Sequence, residues 1–161
     1  MNKKRIGLLC AFFLCTNLMF GQSPRISAEA FGRSIVQSFF DQNCDFMFDN
    51  LDQKITSIEG GGIIPITPDL RRLFCAESPL RPDMAVTFQM YEANYQPVLY
   101  NKEELSQKFP EWAAHLNLQA GDFFFDGAHP IAAGYTRVFT ASDMARFVLR
   151  KINGDWKIIA I

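Results

Sequence analysis

The sequence predicts an α+β fold, in which helices come first and an antiparallel sheet follows. The clearest observation is the ending, where residues 147–149 and 156–159 are rich in strand formers and are separated by Asn153 and Gly154. Asn-Gly tolerates positive φ at both central positions of a two-residue hairpin turn, so these strands are predicted to pair antiparallel. Apolar residues near the start recur instead at helical spacing. Helices followed by a run of strands, rather than strict alternation, are typical of the α+β class.

The first helix is predicted from Ser27, a suitable N-cap, to about Gln42. Its apolar residues lie at helical spacing and form one stripe: Phe31, Ile35, Phe39 and Phe40. A stripe of this kind needs a sheet or a helix to cover it. Residues 44–51 are predicted to form a second short helical segment.

The next segments combine a short strand, a loop and a helix. A brief strand is predicted over residues 54–58, and the glycines 60–62 are predicted to form a mobile loop, because they match neither phosphate-binding glycine pattern. Thr67 is a good N-cap and Pro68 suits the first helical turn, which predicts a helix to about residue 76.

The second half of the chain contains most of the predicted strands. Residues 84–91 alternate between apolar and polar side chains and are predicted to form a strand. Asn101 and Glu104 have the spacing of a capping box, which predicts a short helix to Phe109, closed by Pro110. Further strands are predicted over residues 112–118, 123–126 and 135–140.

The N-terminus has the pattern of a secretory signal peptide. Three cations at positions 3–5 precede the apolar residues 6–20, and Gly21 is a small residue at the cleavage point. About fifteen apolar residues fall short of the ~20 needed to span a bilayer. We therefore predict a signal peptide over residues 1–21 and a single domain over residues 22–161, exported to the periplasm or secreted, with no membrane span in the mature chain.

Charge argues against nucleic acid as a partner. Removing the three N-terminal cations from the sixteen in the chain leaves thirteen, against seventeen acidic residues. Binding to a phosphate backbone depends on clustered Lys and Arg, and the only close basic groupings of the acidic mature chain are Arg71-Arg72 and Arg146, Arg150 and Lys151.

Two cysteines remain after the signal peptide, Cys44 and Cys75. An oxidising compartment would allow a disulfide between them, worth ~3 to 4 kcal/mol in the chain-entropy model. Sequence gives no separation between their Cα atoms, so the alternative of two small buried thiols stays open, and it is the interpretation we favour here.

The C-terminal strand, turn and Asp155-Trp156-Lys157-Ile158 resemble the close of the nuclear-transport-factor-2-like fold, of which this chain would be an exported bacterial member. The other matching pieces are patterns of elements: residues 28–40, 44–51 and 67–76. The resemblance implies about three N-terminal helices on the concave side of a curved antiparallel sheet, making a cone-shaped domain with an interior pocket. Helices on both faces of the sheet would argue against the resemblance and the pocket. Residues 112–140 depart most from the family pattern and have room for an insertion.

Some members of that family, the ketosteroid isomerases and polyketide cyclases, use a pocket carboxylate beside hydrogen-bond donors for acid–base catalysis. The corresponding residue types in this chain, which we predict as ligand-binding residues, are Tyr91, Tyr95, Asp122, Asp126 and His129. Both aspartates adjoin a glycine, where turn-forming aspartates are common, so no catalytic residue is assigned.

The predicted function is a non-catalytic exported domain that binds a small apolar or amphipathic ligand in a conical pocket. One alternative is a small acid–base enzyme. Another is a module that forms a homodimer through the outer face of the sheet, where Val148, Ile159 and Ile161 are apolar. No cofactor or metal is expected, because His115 and His129 lie fourteen residues apart without a ligand spacing.

Overall fold

The computed structural model describes residues 23–76, 87–131 and 145–161. Within these residues there are six helices: α1 (Pro24–Phe40), α2 (Cys44–Asp49), α3 (Pro68–Ala76), α4 (Phe88–Asn94), α5 (Lys102–Lys108) and α6 (Pro110–Leu116). They also contain six strands: β1 (Leu51–Thr56), β2 (Ile63–Pro65), β3 (Val98–Tyr100), β4 (Phe123–Asp126), β5 (Arg146–Ile152) and β6 (Asp155–Ala160). The prediction of an α+β fold is confirmed.

The six strands form one open sheet in the order β2-β1-β6-β5-β4-β3. Four of the strand pairs are antiparallel, but β1 and β6 run parallel. The prediction of a wholly antiparallel sheet is therefore wrong. Strand β2 pairs with one edge of β1 in a hairpin. The last strand, β6, pairs with the other edge of β1 and runs in the same direction as β1.

The C-terminal hairpin forms as predicted. Asn153 has φ of 53° and Gly154 has φ of 97°, so both turn residues lie in the left-handed region that the Asn-Gly pair tolerates. Lys151 is opposite Trp156 and Ile152 is opposite Asp155. This turn fixes which side chains of β5 and β6 share a face.

One face of the sheet packs against α1, and we call it the α1 face. Phe125, Phe147 and Leu149 contribute to its buried cluster together with Ala28 and Ile35 of α1. Gly32 permits close approach at this point, because a Cβ atom there would lie 2.3 Å from the ring of Phe125. The helix therefore contacts the sheet directly at Gly32.

The opposite face packs against α5 and α6, and we call it the α5 face. Phe124 and Val148 of the sheet are fully buried there with Leu105 of α5, and Leu116 of α6 joins them. Helices thus lie against both faces, which is the arrangement that we expected to argue against the family resemblance and its one-sided packing. Helix α6 begins at Pro110 and lies largely within the stretch 112–140, where the sequence departs from the family pattern.

Side-chain caps account for most of the helix starts in the described residues. The Oγ1 atom of Thr67 accepts a hydrogen bond from the backbone N–H of Leu70 at 3.1 Å. The capping box of Asn101 and Glu104 is present at 2.8 Å in both directions. These two starts are confirmed, whereas α1 begins earlier than predicted, because Ser23 rather than Ser27 is its N-cap.

Two predicted strands are helices. Thr87 caps α4 by accepting from the N–H of Met90 at 3.2 Å, so the described end of the predicted strand 84–91 is helical. The predicted strand 112–118 falls mainly in α6, where Pro110 occupies the first turn. In both places an N-terminal helix signal prevails over a short apolar pattern.

The remaining strand predictions are mixed. Residues 54–58 fall partly in β1, and residues 123–126 form β4 as predicted. The glycines 60–62 belong to the turn between β1 and β2, closed by a hydrogen bond from Ser57 N–H to the Gly62 carbonyl at 2.8 Å. The predicted signal peptide, residues 84–86 and the predicted strand 135–140 lie outside the described residues. No helix in the described part combines the length and apolar character that crossing a membrane requires.

Candidate ligand cavity

A cavity of about 290 Å³ lies between the N-terminal helices and the α1 face of the sheet. Its helical wall consists of Ile35 and Phe39 from α1 with Met47 and Phe48 from α2. Ile35 and Phe39 are four residues apart and so lie on one side of α1. Asn43 caps α2 by accepting from the N–H of Phe46 at 3.1 Å, which fixes where α2 begins.

The floor of the cavity is the middle of the sheet. Ile55 of β1, Ile158 of β6 and Phe147 of β5 face it. Successive side chains of a strand point to opposite faces, so Phe147 faces the cavity while Val148 is buried on the α5 face. The neighbouring strands thus supply a continuous apolar surface.

The lining of the cavity reaches solvent beside β2, α3 and the C-terminus, and we take this side as its entrance. Ile64, Ile66 and Leu70 line it and are half-buried, and Ile161 is 44% exposed. The entrance is therefore bordered by apolar side chains that water also reaches. A bound molecule could place a polar group here without burying it.

The cavity surface is almost entirely made of apolar atoms. Arg146 is the single charged residue among the described lining residues, and its Nε donates to Asp126 at 3.1 Å. Its guanidinium also lies 5.5 Å from the centre of the Trp112 ring. The interior therefore favours an apolar occupant, because a buried polar group without a hydrogen-bond partner is costly.

Helices α2 and α3, which border the cavity, are linked covalently. Cys44 and Cys75 form a disulfide with their Cα atoms 5.7 Å apart. The interpretation of two free buried thiols is therefore wrong. Sequence could not decide between the alternatives, since the helix positions that bring the two residues together depend on the whole fold.

An arginine adds a second link between the same two helices. The guanidinium of Arg71 on α3 pairs with Asp45, and its Nη1 lies 2.9 Å from an oxygen of Asp49. Hydrogen bonds to these two aspartates raise the pKa of Arg71 above its ordinary value. The cation therefore stays charged, and α3 is held to α2 at several points.

Comparison of the chain with family models finds no match, and comparisons with curated proteins and with solved structures find none either.

Asp122 and Asp126 lie on the α5 face, away from the cavity. The Nε of Arg150 donates to both carboxylate oxygens of Asp122 at 2.9 and 3.2 Å, and its Nη2 donates to one of them at 2.6 Å. The backbone N–H of Gln119 also donates to Asp122 at 2.8 Å, as expected of a turn-capping residue. Asp126 stands directly opposite Arg146 in the sheet and pairs with it. Both buried carboxylates are thus occupied by arginines.

Tyr91 and Tyr95 of the α4 segment stack on each other on the α1 face, with ring centres 5.5 Å apart. The Tyr91 hydroxyl donates to the carbonyl of Gly127 at 2.5 Å, and burial raises the pKa of this phenol. His129 is exposed, and its carbonyl accepts from the N–H of Gln96. The structure brings these three residues near the end of β4, but none of them lines the cavity.

Sequence reasoning missed the residues that line the cavity. Ile35 and Phe39 were identified only as part of a core stripe, and Ile64 and Ile66 carry no pattern at all. The amphipathic spacing of α1 identifies the side that faces the sheet, but not the part of it that borders empty space. In the described residues, no group of three His, Cys, Asp or Glu side chains gathers where it could hold a metal ion.

Proposed function

We propose that this chain is an exported, non-catalytic binding protein that holds a small apolar or amphipathic molecule in the cavity between α1, α2 and the sheet. The observation that carries this proposal is the apolar cavity of about 290 Å³ with an entrance at β2 and α3. Well-packed interiors contain few voids larger than a water molecule, so an apolar space of this size is unusual and favours a role in binding.

The size and chemistry of the cavity favour a short aliphatic ligand. Its volume of about 290 Å³ lies at the lower end of the range of roughly 300 to 1,000 Å³ that ligand pockets occupy. An aliphatic chain in this interior loses no hydrogen bond, and its burial contributes about 25 cal/mol for each Å² removed from water. A hydroxyl group at the end of the chain would reach the entrance beside Ile161.

The disulfide and the N-terminal pattern support export. Disulfides persist in oxidising compartments and are rare in the cytosol. A periplasmic or secreted location, reached by removal of residues 1–21, accounts for both the basic-apolar N-terminus and the bond between Cys44 and Cys75.

The proposed relation to the nuclear-transport-factor-2-like fold draws support from the order of the elements. Helices α1, α2 and α3 accompany the β1–β2 hairpin, α1 and α2 lie over the α1 face, and a cavity lies beneath them. We propose that α5 and α6 are an addition that covers the other face. A cone-shaped sheet is part of this proposal.

The two alternatives receive less support. An acid–base enzyme requires a carboxylate in the cavity, and Asp122 and Asp126 lie on the opposite face in ion pairs. The homodimer was predicted because Val148, Ile159 and Ile161 make the outer face of the hairpin apolar. Val148 is fully buried under α5 and α6 and Ile159 packs against the same cluster, so Ile161 is the one residue of the three that is largely exposed.

Binding of decanol, measured by native mass spectrometry and calorimetry, tests the proposal. We expect the purified protein to bind one decanol, and Leu70→Trp to weaken binding at least about tenfold because the indole would fill the entrance. Leu73→Trp is the matched control, since Leu73 is on the same helix but is 54% exposed and does not line the cavity. Absence of binding, or equal loss in both variants, would overturn the proposal.

A further inference from the structure

Helix α3 borders the cavity entrance, and its described side chains lie outside the buried core. Among its described side chains Leu70, Arg71 and Cys75 are half-buried, and Asp69, Arg72 and Leu73 are exposed. None of these belongs to either buried cluster. Burial of these side chains therefore contributes little to holding α3 in place.

The links from α3 to α2 are unequal in strength. The ion pairs of Arg71 are exposed, with Asp45 and Asp49 showing side-chain exposures of 79% and 64%. Exposed ion pairs contribute little, and salt weakens them. The disulfide, by contrast, closes a loop across a sequence separation of 31 residues and constrains α3 covalently.

The position of Leu70 connects this anchoring to ligand access. Leu70 lies in the first turn of α3 and lines the entrance with Ile64 and Ile66. If α3 moves away from α2, Leu70 leaves the cavity and the entrance widens. Met47 and Phe48 on α2 remain in the wall, because they are buried.

We infer that α3 is a cover for the cavity, and that the Cys44–Cys75 disulfide sets how readily the cover opens. This inference rests on the proposed binding function. Reduction takes two electrons and two protons from a dithiol reductant, converts the disulfide to the thiols of Cys44 and Cys75, and leaves the reductant as a disulfide. Both cysteines are half-buried, so a reductant can reach them at the surface.

Ligand exchange rates in the oxidised and reduced protein test the inference. Stopped-flow fluorescence with N-phenylnaphthylamine, a neutral apolar dye, gives both association and dissociation rates. We expect both rates to rise at least about tenfold after reduction with dithiothreitol, because the covalent constraint on α3 is removed. Affinity should change less than either rate, since the buried part of the cavity stays intact. A Cys44→Ser, Cys75→Ser double variant should behave like the reduced protein.

A pair of arginine variants keeps the disulfide intact, so the test does not depend on how stable the protein is without that bond. Arg71→Ala should raise the dissociation rate about twofold to threefold, as expected for exposed ion pairs. Arg72→Ala is the matched control, because Arg72 pairs with Asp69 inside the same helix and not with α2. It should leave the rates unchanged.

Hydrogen exchange provides a readout that needs no ligand. The amide of Arg71, which bonds to the Thr67 carbonyl at 3.0 Å, should exchange faster after reduction, whereas the amides of β5 should not change. Equal exchange in α3 in both redox states would overturn the inference. So would equal dye rates in both states, and in that case the proposed function would survive. Failure of the oxidised protein to bind any apolar probe would overturn both.

Discussion

The two faces of the sheet are covered by helices in different ways. On the α5 face, Phe109, Trp112 and Phe124 stack closely, with ring centres 4.5 Å apart for the first pair and 5.5 Å for Trp112 and Phe124. On the α1 face, the helix touches the sheet at Gly32, but a cavity lies between Phe39 and Phe147. The same strands therefore support a filled interior on one side and a hollow one on the other.

The difference predicts that the two faces contribute unequally to stability and to the proposed binding. The α5 face is bordered by two cross-strand ion pairs, Asp122 with Arg150 and Asp126 with Arg146, which satisfy the buried carboxylates. The α1 face has apolar side chains around empty space, which costs dispersion contacts. We expect the first face to respond to substitution with loss of stability and the second with loss of binding.

Truncation of a large aromatic side chain should give the largest contrast. Phe124→Ala should lower the free energy of unfolding by about 3 to 5 kcal/mol, because Phe124 is fully buried in a filled region. Phe48→Ala should cost at least about 1 kcal/mol less, since Phe48 borders space that is already empty and gives up fewer contacts. Urea denaturation of both variants checks this, and equal losses would contradict the distinction between the faces.

Removal of a buried charge should have the next largest effect. Asp122→Asn should destabilise the protein by about 2 to 3 kcal/mol, less than for a fully buried pair because water still reaches part of the Arg150 side chain. Asp69→Asn, which affects an exposed pair with Arg72, is the control and should change stability by no more than about 0.5 kcal/mol. Decanol affinity should be unchanged in both, and selective loss of affinity in Asp122→Asn would place this carboxylate in the binding site.

Substitutions that enlarge a side chain should also cost more stability on the α5 face than on the α1 face. Val148→Phe should cost about 1 to 3 kcal/mol, because the α5 face has no room for more atoms. Ile55→Phe should change stability by less than about 1 kcal/mol, because the added atoms enter the cavity, and it should weaken decanol binding. Thermal unfolding and calorimetry measure the two effects, and an equal cost would mean that the cavity is not available to side chains.

The smallest expected effect concerns the capping box that positions α5 over its face. The hydrogen bond from the backbone N–H of Asn101 has the largest effect and lowers the pKa of Glu104, burial opposes it, and Arg25 lowers the pKa further. The stabilisation is therefore fully present above the unfolded value of about 4.3, and it is lost as pH falls through the lower folded value. Glu104→Gln should cost up to about 1 kcal/mol at pH 7, and this cost should shrink as pH falls through the lowered pKa of the folded state.

Chemical denaturation at several pH values measures this difference. Glu103→Gln is the control, because Glu103 is exposed in the same first turn and is not part of the capping box. A pH-independent cost for Glu104→Gln would contradict the assignment of the cap.

Sequence predicted the parts of the fold that depend on local chemistry. The Asn153-Gly154 turn, the Thr67 cap and the Asn101 capping box each rest on one or two residues whose backbone preferences are strong. It failed at residues 88–91 and 112–116, where short apolar segments fit either a strand or a helix and where Thr87 and Pro110 were the better signals. The parallel pairing of β1 with β6 depends on residues about a hundred positions apart, which no local pattern records.

The candidate site was harder to predict than the fold. Asp122 and Asp126 drew attention because polar residues among phenylalanines suggest chemistry, but the sheet pairs them with arginines. The cavity is lined by ordinary core residues such as Ile55 and Ile158. No pattern in the sequence distinguishes these residues from core residues that pack without a space between them. An unfilled volume depends on how closely α1 approaches the sheet, and only the assembled structure shows it.

The most direct test of the central claim is methyl NMR of the protein during titration with decanol. We predict that the methyl signals of Ile35, Ile55 and Ile158 shift as the cavity fills, whereas those of Leu105, Leu116 and Val148 stay in place. Shifts confined to the second group, or no saturable shift in either group, would contradict the claim that the hollow face of the sheet is the binding site.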